Sequence, residues 1–238
     1  MRKENISRLS KIQSPSKKDI YYLHYISLFR DIEYTIKKHG KGRVIDIGCG
    51  NKPYELLFQD SASEYIGCDI IQSDLAKVDV ICEADNIPLP DNSFDTVLST
   101  QTIEHIGNHQ GLVNEAFRLL NPGGIAIISG PSYWPLHEEP YDYFRFTKYG
   151  LTHILENVGF EVIEILPNGG MWSTTGIALV QSLINSKSRS FFLRVMRSLF
   201  YRLKLVWMIN TFFGWLDRID YNPINTMNYV VVAKKPNL

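Results

Sequence analysis

Apolar residues recur at helical spacing between Lys17 and His39, at Ile20, Leu23, Tyr25, Ile26, Phe29, Ile32 and Ile36. Positions three and four apart share one face of a helix. Ser16 before this run offers an N-cap and Gly40 after it a stop. The period then changes. Arg43 to Ile47 is a short β-branched run that ends in Gly48-Cys49-Gly50, and a helix starts at Tyr54 to Phe58. Strand, glycine turn and helix follow one another. Further strand patterns occupy 64–70, 78–83, 94–99, 125–129, 160–166 and 229–233, with helices over 112–120 and 151–158. This alternation predicts an α/β fold: a seven-stranded, mostly parallel sheet with helices on both faces. The roughly 60 residues between the sixth and seventh strands exceed any turn. They read as two helices, about 171–185 and 190–216. The expected organisation is one domain: an N-terminal helical cap over 1–40, a core over 41–166 and 227–238, and a helical insertion over 167–226.

Length and composition agree with a globular chain. The 238 residues are 45% apolar and 12% aromatic, which excludes a disordered or collagen-like protein. The formal charge is zero, yet it is unevenly spread. Residues 1–43 carry +7, residues 44–164 carry −14 and residues 165–216 carry +6. The basic flanks either cap the acidic middle or face an anionic partner. Cys49, Cys68 and Cys82 include no CxxC pair, so neither a disulfide framework nor a structural zinc site is expected. Met1 to Asp19 has no apolar core of the kind a secretory signal needs. Leu205 to Leu216 is too short to span a bilayer, which takes about 20 residues. A cytoplasmic protein is expected, with contact at the inner face of a membrane left open.

The chemistry is concentrated at Asp46-Ile47-Gly48-Cys49-Gly50. Glycines there let the chain turn sharply and a ligand approach the backbone. The Asp46 carboxylate would repel a pyrophosphate but attract an ammonium group. A dinucleotide fingerprint would need a third glycine, where Pro53 stands. Asp69 ends the second strand, where a carboxylate accepts the two hydroxyls of a ribose. Glu83-Ala84-Asp85-Asn86 follows the third strand, and an acidic side chain at that edge accepts from an adenine amino group.

The runs VIDIGCG, YIGCDI, EADNIPLPDNSFDTVLSTQTIEHI and LLNPGGIAIIS, in this order, resemble the class I S-adenosylmethionine-dependent methyltransferases. More narrowly they are similar to the type-11 methyltransferase-domain group. The resemblance covers about residues 40–166 and the last strand. It implies a Rossmann-like sheet of order 3-2-1-4-5-7-6 with the seventh strand antiparallel, and S-adenosyl-L-methionine as cofactor. It implies that Asp46, Gly48, Cys49 and Gly50 surround the methionine part; the alternative for Cys49 is a small core filler. Asp69 would hold the ribose, Ile70 pack on the adenine, and Asp85 and Asn86 meet its edge. Thr100 to His105 would line the methionine side.

The loop after the fifth strand holds the acceptor candidates. Between Tyr133 and Phe144 it carries five aromatic rings, together with His137, Glu138, Glu139 and Asp142, and Arg145 follows. His137 reads as a general base oriented by Asp142, with Arg145 gripping the substrate or the loop. No metal site is expected there. The pattern His137, Pro140, Asp142, Tyr143, Arg145, Phe146, Thr147 resembles one in methyltransferase-domain proteins associated with bacterial surface polysaccharide or lipid-linked sugar pathways. Ser99-Thr100-Gln101-Thr102 is not the Asn/Asp-Pro-Pro-Tyr/Phe tetrad of enzymes that methylate base and glutamine amino groups, and no nucleic-acid module is seen. The expected activity is O-methylation of a glycan, a lipid-linked intermediate or a small metabolite. The alternative is a catalytically silent cofactor-binding scaffold on a membrane or protein partner. The basic amphipathic segment over 190–216 leaves three roles open: a lid, a homodimer contact or peripheral membrane contact.

Overall fold

The computed structural model describes residues 15–188, 190–202 and 205–237. They fall into two compact units, one of residues 30–166 and 228–237, the other of residues 15–29 and 167–227. The first unit is built on strands β1 (Gly42–Ile47), β2 (Ala62–Asp69), β3 (Val80–Ile81), β4 (Phe94–Thr100), β5 (Leu120–Pro131), β6 (Glu161–Asn168) and β7 (Asn228–Lys234). They form one sheet in the order β3-β2-β1-β4-β5-β7-β6, as expected. The pairs among β1 to β5 are parallel, and β7 runs antiparallel to β5.

A strand covered on both faces is apolar at successive positions rather than alternate ones. That is why Val44 to Ile47, Ala126 to Ile128 and Val230 to Ala233 are buried as unbroken runs. Helices α2 (His109–Leu119) and α3 (Lys148–Glu156) supply Leu112, Val113, Ala116, Leu151 and Leu155 to the same core as Ile45, Val97 and Ile128. Asn108 caps α2 by accepting from the Gly111 amide, and Thr147 caps α3 by accepting from Gly150. The register pairs Ile47 with Cys68, Asp46 with Leu98 and Thr100 with Ser129. The ends of β1, β2 and β4 therefore meet along one edge, where ligands of open α/β sheets bind.

Several boundaries differ from the sequence expectation. The first helix, α1, is Tyr22–His39 rather than starting at Lys17. The Ser16 amide donates to the Asp19 carboxylate and the Asp19 amide to the Ser16 carbonyl, so these polar groups make a turn instead of a cap. The helix expected after the glycine turn is a single 3-10 turn, Glu55–Phe58, because β2 begins four residues later. The third strand shrinks to two residues, since Glu83 and Asn86 close a turn right after it.

The second unit holds α4 (Met171–Asn185), α5 (Phe191–Arg202) and α6 (Leu205–Ile219). The continuous helix expected over 190–216 is thus two helices. Leu203 and Lys204, which fall within it, lie outside the described residues, as do residues 1–14 of the expected cap over 1–40. Gly176 of α4 lies against Phe213 of α6, and Val180, Phe200 and Val206 form a small core. Asp217 reaches from α6 to the start of α4, accepting from the Gly170 and Trp172 amides. This satisfies donors that a helix start leaves open.

Lys235 ties the sheet's β7 end to the loops beside it. Its ammonium is buried and donates to the carbonyls of Phe117 and Leu120 and to Asn92 Oδ1, so all three N–H groups are used. Lys235→Met keeps the stem but removes all three donors. It should lower stability by roughly 2 kcal/mol, read as a drop in the denaturant midpoint at unchanged slope; an unchanged midpoint would show that water replaces the ammonium.

Candidate active site

The turn after β1 is stitched to β2. Gly48 and Gly50 have φ of +76° and +50°, a region that side chains resist. The amides of Gly48 and Cys49 both donate to the Cys68 carbonyl, at 2.8 and 3.0 Å. The Gly50 amide donates to Asp69 Oδ2 at 3.1 Å. A Cβ on Gly48 would overlap the Thr102 side chain, so the segment after β4 crosses directly over the glycine.

A cavity of about 410 Å³ opens at this edge. Its wall takes Ile47 and Gly48 from β1, Cys68 to Ile71 from the end of β2, and Cys82 to Asp85 from beyond β3. Thr102 and His105 to Asn108 follow β4, and Tyr141 and Tyr143 come from the loop after β5. Of the residues expected from the sequence, the cavity gathers Gly48, Asp69, Ile70, Asp85 and His105. Asp69 is buried, and while Oδ2 is held by Gly50, Oδ1 has no hydrogen-bond partner. Asp85 accepts from Asn108 Nδ2 at 3.0 Å.

Asp46, Cys49, Gly50, Asn86 and Thr100 are not in the wall. Asp46 is 2% exposed and accepts from the Tyr65 hydroxyl at 2.7 Å. Cys49 is buried, and burial pushes its thiol well above the ordinary range, which suits a filler. Gly50 acts through its amide on Asp69. Asn86 is exposed, and Thr100 offers its carbonyl to the Thr102 hydroxyl. The sequence reading missed Asn108, Tyr141 and Tyr143 as cavity residues. Asn108 had a readable signal, a helix cap one residue before α2. The tyrosines had none beyond being aromatic, because their position depends on where the loop returns.

That loop is closed by Arg145. Its guanidinium grips Asp142 through two N–H···O bonds of 2.7 and 2.8 Å and donates to the carbonyls of Trp134, Pro135 and Phe144. Arg145 is thus engaged by the loop itself. The Asp142 carboxyl is held down at about 2: burial works against the charge, but the Arg145 and His137 donors outweigh it. An ionised Asp142 can only accept, so the 3.1 Å contact to His137 Nδ1 places the proton on Nδ1 and leaves a lone pair on Nε2. Burial and the neighbouring His105 ring push the His137 pKa below its usual value. The two rings meet edge to face at 4.7 Å. His105 Nδ1 lies 2.8 Å from the Tyr141 carbonyl, also an acceptor only, so its Nε2 is likewise the lone-pair nitrogen of the neutral ring. Beside them Glu104 is fully buried, neither carboxyl oxygen has a hydrogen-bond partner, and burial raises its pKa to about 8.

Burial, helped by the nearby Asp69 charge, likewise raises the Asp46 pKa to about 7, against the opposing Tyr65 hydrogen bond. In the unfolded chain the value is about 3.9. Stability from this group is therefore complete below about pH 4 and is lost as the pH rises toward 7. Asp46→Asn removes the titration and keeps an acceptor for Tyr65. The fall in melting temperature between acidic and neutral pH should be smaller in the variant than in wild type; parallel falls would mean that Asp46 ionises freely.

Residues 45–128 match the family model described as a methyltransferase domain. A Mycolicibacterium smegmatis protein named as a probable S-adenosylmethionine-dependent methyltransferase is 33% identical over 152 residues, 57% of each chain. The ubiquinone biosynthesis O-methyltransferase of Rickettsia akari is 26% identical over 126 residues, 45% of this chain and 50% of that protein. The chain thus spans little more than half the length of these relatives. A solved S-adenosylmethionine-dependent methyltransferase of Archaeoglobus fulgidus shares the fold, with a TM-score of 0.54 at 22% identity over 90% of this chain and all of that one. The cofactor of such proteins fits this cavity: Asp69 Oδ1 awaits a hydroxyl donor, and Gly48 presents bare backbone to the cavity. Through its matched domain over 45–128, its sheet order and this cavity, the chain is similar to the class I S-adenosylmethionine-dependent methyltransferases.

Proposed function

We propose that the protein transfers a methyl group from S-adenosylmethionine to a hydroxyl of a glycan, a lipid-linked intermediate or a small metabolite. The observation that carries this reading is the Asp69 carboxylate. It is buried in the cavity wall, anchored to the glycine turn by one oxygen and unpartnered at the other. That is the arrangement a ribose diol needs. Ile70 offers an apolar surface for the adenine, and Asp85 an acceptor for its amino group. The cofactor supplies a methyl group already activated on sulfur, so positioning the acceptor is the main task left to the protein.

Tyr141, Tyr143 and His105 define the acceptor side, and the Arg145–Asp142 clasp holds their loop. His137 activates the hydroxyl through its Nε2, with Asp142 fixing the tautomer. An O-methyl acceptor is supported by this imidazole at the acceptor side and by the absence of an Asn/Asp-Pro-Pro-Tyr/Phe tetrad. The Rickettsia relative is by name an O-methyltransferase. A second reading, a cofactor-binding scaffold held at a membrane or by a partner, is favoured by α5 and α6. Phe191, Phe192, Phe212 and Trp215 are more than half exposed, and Trp207 nearly so. Among the described residues no helix is long and apolar enough to cross a membrane, so contact would be peripheral.

Calorimetry with S-adenosylhomocysteine should show saturable binding by wild type. Asp69→Ala should weaken it at least tenfold, from the loss of charge-assisted hydrogen bonds worth about 1.5–3 kcal/mol. Gly48→Ala, which strains the turn and crowds Thr102, should abolish it. Absence of binding by wild type would sink the assignment. Once an acceptor is found by screening with labelled cofactor, His137→Ala should lower kcat by roughly a hundredfold while cofactor affinity stays put. If no acceptor turns over and the chain sediments with anionic vesicles, the scaffold reading gains.

A further inference from the structure

Glu104, His105 and His137 bring a buried carboxyl group and two imidazoles together. A ligand atom from each lies within 4.8 Å of the others, and His105 Nε2 is 3.8 Å from Glu104 Oε1. Glu104 is 0% exposed, and both its oxygens lack a hydrogen-bond partner. Leaving a carboxylate so placed costs several kcal/mol unless a cation or proton meets it. A proton satisfies at most one oxygen. The other oxygen has no hydrogen-bond partner.

The outer contacts of the two histidines point to a metal rather than a proton. A metal-bound imidazole typically passes its second N–H to a carbonyl or carboxylate, which fixes the ring and the tautomer. His105 does this to the Tyr141 carbonyl and His137 to Asp142, which Arg145 holds in turn. Both Nε2 atoms are thereby kept for a ligand on the Glu104 side. We propose that Glu104, His105 and His137 form a binding site for a divalent first-row transition metal at the rim of the cofactor cavity.

Two imidazoles and one carboxylate suit zinc, manganese, iron or cobalt rather than calcium or magnesium, which prefer all-oxygen shells. Bonds of about 2.0–2.2 Å require the ligand atoms to stand about 3–3.5 Å apart. The 3-10 turn Ile103–His105 places two of the ligands at adjacent positions. Three protein ligands leave coordination positions open, as in catalytic rather than structural sites. His105 also lines the cavity. An acceptor oxygen bound there would lose its proton more easily, and with its Nε2 on the ion His137 would act as a ligand in place of a general base. This last role rests on the methyltransferase reading; the metal site itself does not.

The test uses the full-length, tag-free chain stripped with chelator. Titration with Mn²⁺ and Zn²⁺ by calorimetry, and elemental analysis after dialysis, should show about one ion per chain. Co²⁺ should develop visible d–d bands. Glu104→Gln keeps shape and removes charge; with His137→Ala it should weaken uptake at least tenfold and alter the Co²⁺ spectrum. Asp69→Ala should take up metal like wild type while losing S-adenosylhomocysteine. A wild-type chain with no saturable uptake, or Glu104→Gln and His137→Ala binding as wild type, overturns the site. Since wild-type uptake is itself a readout, a variant that fails to fold does not shelter the proposal. Metal uptake without S-adenosylhomocysteine binding would keep the site and reject the methyltransferase reading; the converse would do the opposite.

Discussion

The tie between the glycine turn and β2 is the constraint on which the rest of the site depends. Two amides of the turn share the Cys68 carbonyl and a third holds the Asp69 carboxylate. Because Gly48 carries no side chain, Thr102 can lie directly over it. These contacts bring the ends of β1, β2 and β4 together at one sheet edge. They also decide which oxygen of Asp69 is spent on the protein and which is left for a ligand. A methyl group at position 48 would disturb all three elements at once.

The second organising contact is the Arg145 clasp. A guanidinium with its donors matched to one carboxylate and three carbonyls makes a long loop behave as a fixed element. Through Asp142 it sets the tautomer of His137. Because the same loop also brings Tyr141 over His105, it sets that ring too. Arg145 and Asp142 themselves are not in the cavity wall. Arg145, expected to grip either substrate or loop, is occupied by the loop. Next to this ordered polar frame lies Glu104, the one member whose oxygens no neighbour satisfies.

The parts of the site that could be read from the sequence are those made by consecutive residues. Gly48, Asp69, Ile70 and Asp85 sit just past strands whose apolar runs are easy to recognise, and each falls in the cavity. Asp46, adjacent to the same turn, alternates to the other side of the chain and is spent on Tyr65. Asn86 is one residue too far along its turn and stays exposed. Tyr141 and Tyr143 were counted among the rings of the acceptor loop, but that they line the cavity was not legible, because the loop must fold back over a sequence gap of 36 residues before His105 meets Tyr141.

The sequence by itself determined the strands, the glycine turn and the carboxylate that ends β2, because strand period, left-handed backbone and residue spacing are local properties of the chain; the strand order came from the resemblance to the methyltransferases. Tertiary structure decided which oxygens remain unpaired, which histidine nitrogens keep lone pairs, and that Glu104 is buried beside two imidazoles. Those outcomes depend on groups far apart in sequence competing for a limited set of hydrogen-bond partners. No local pattern encodes which of them will be left without one.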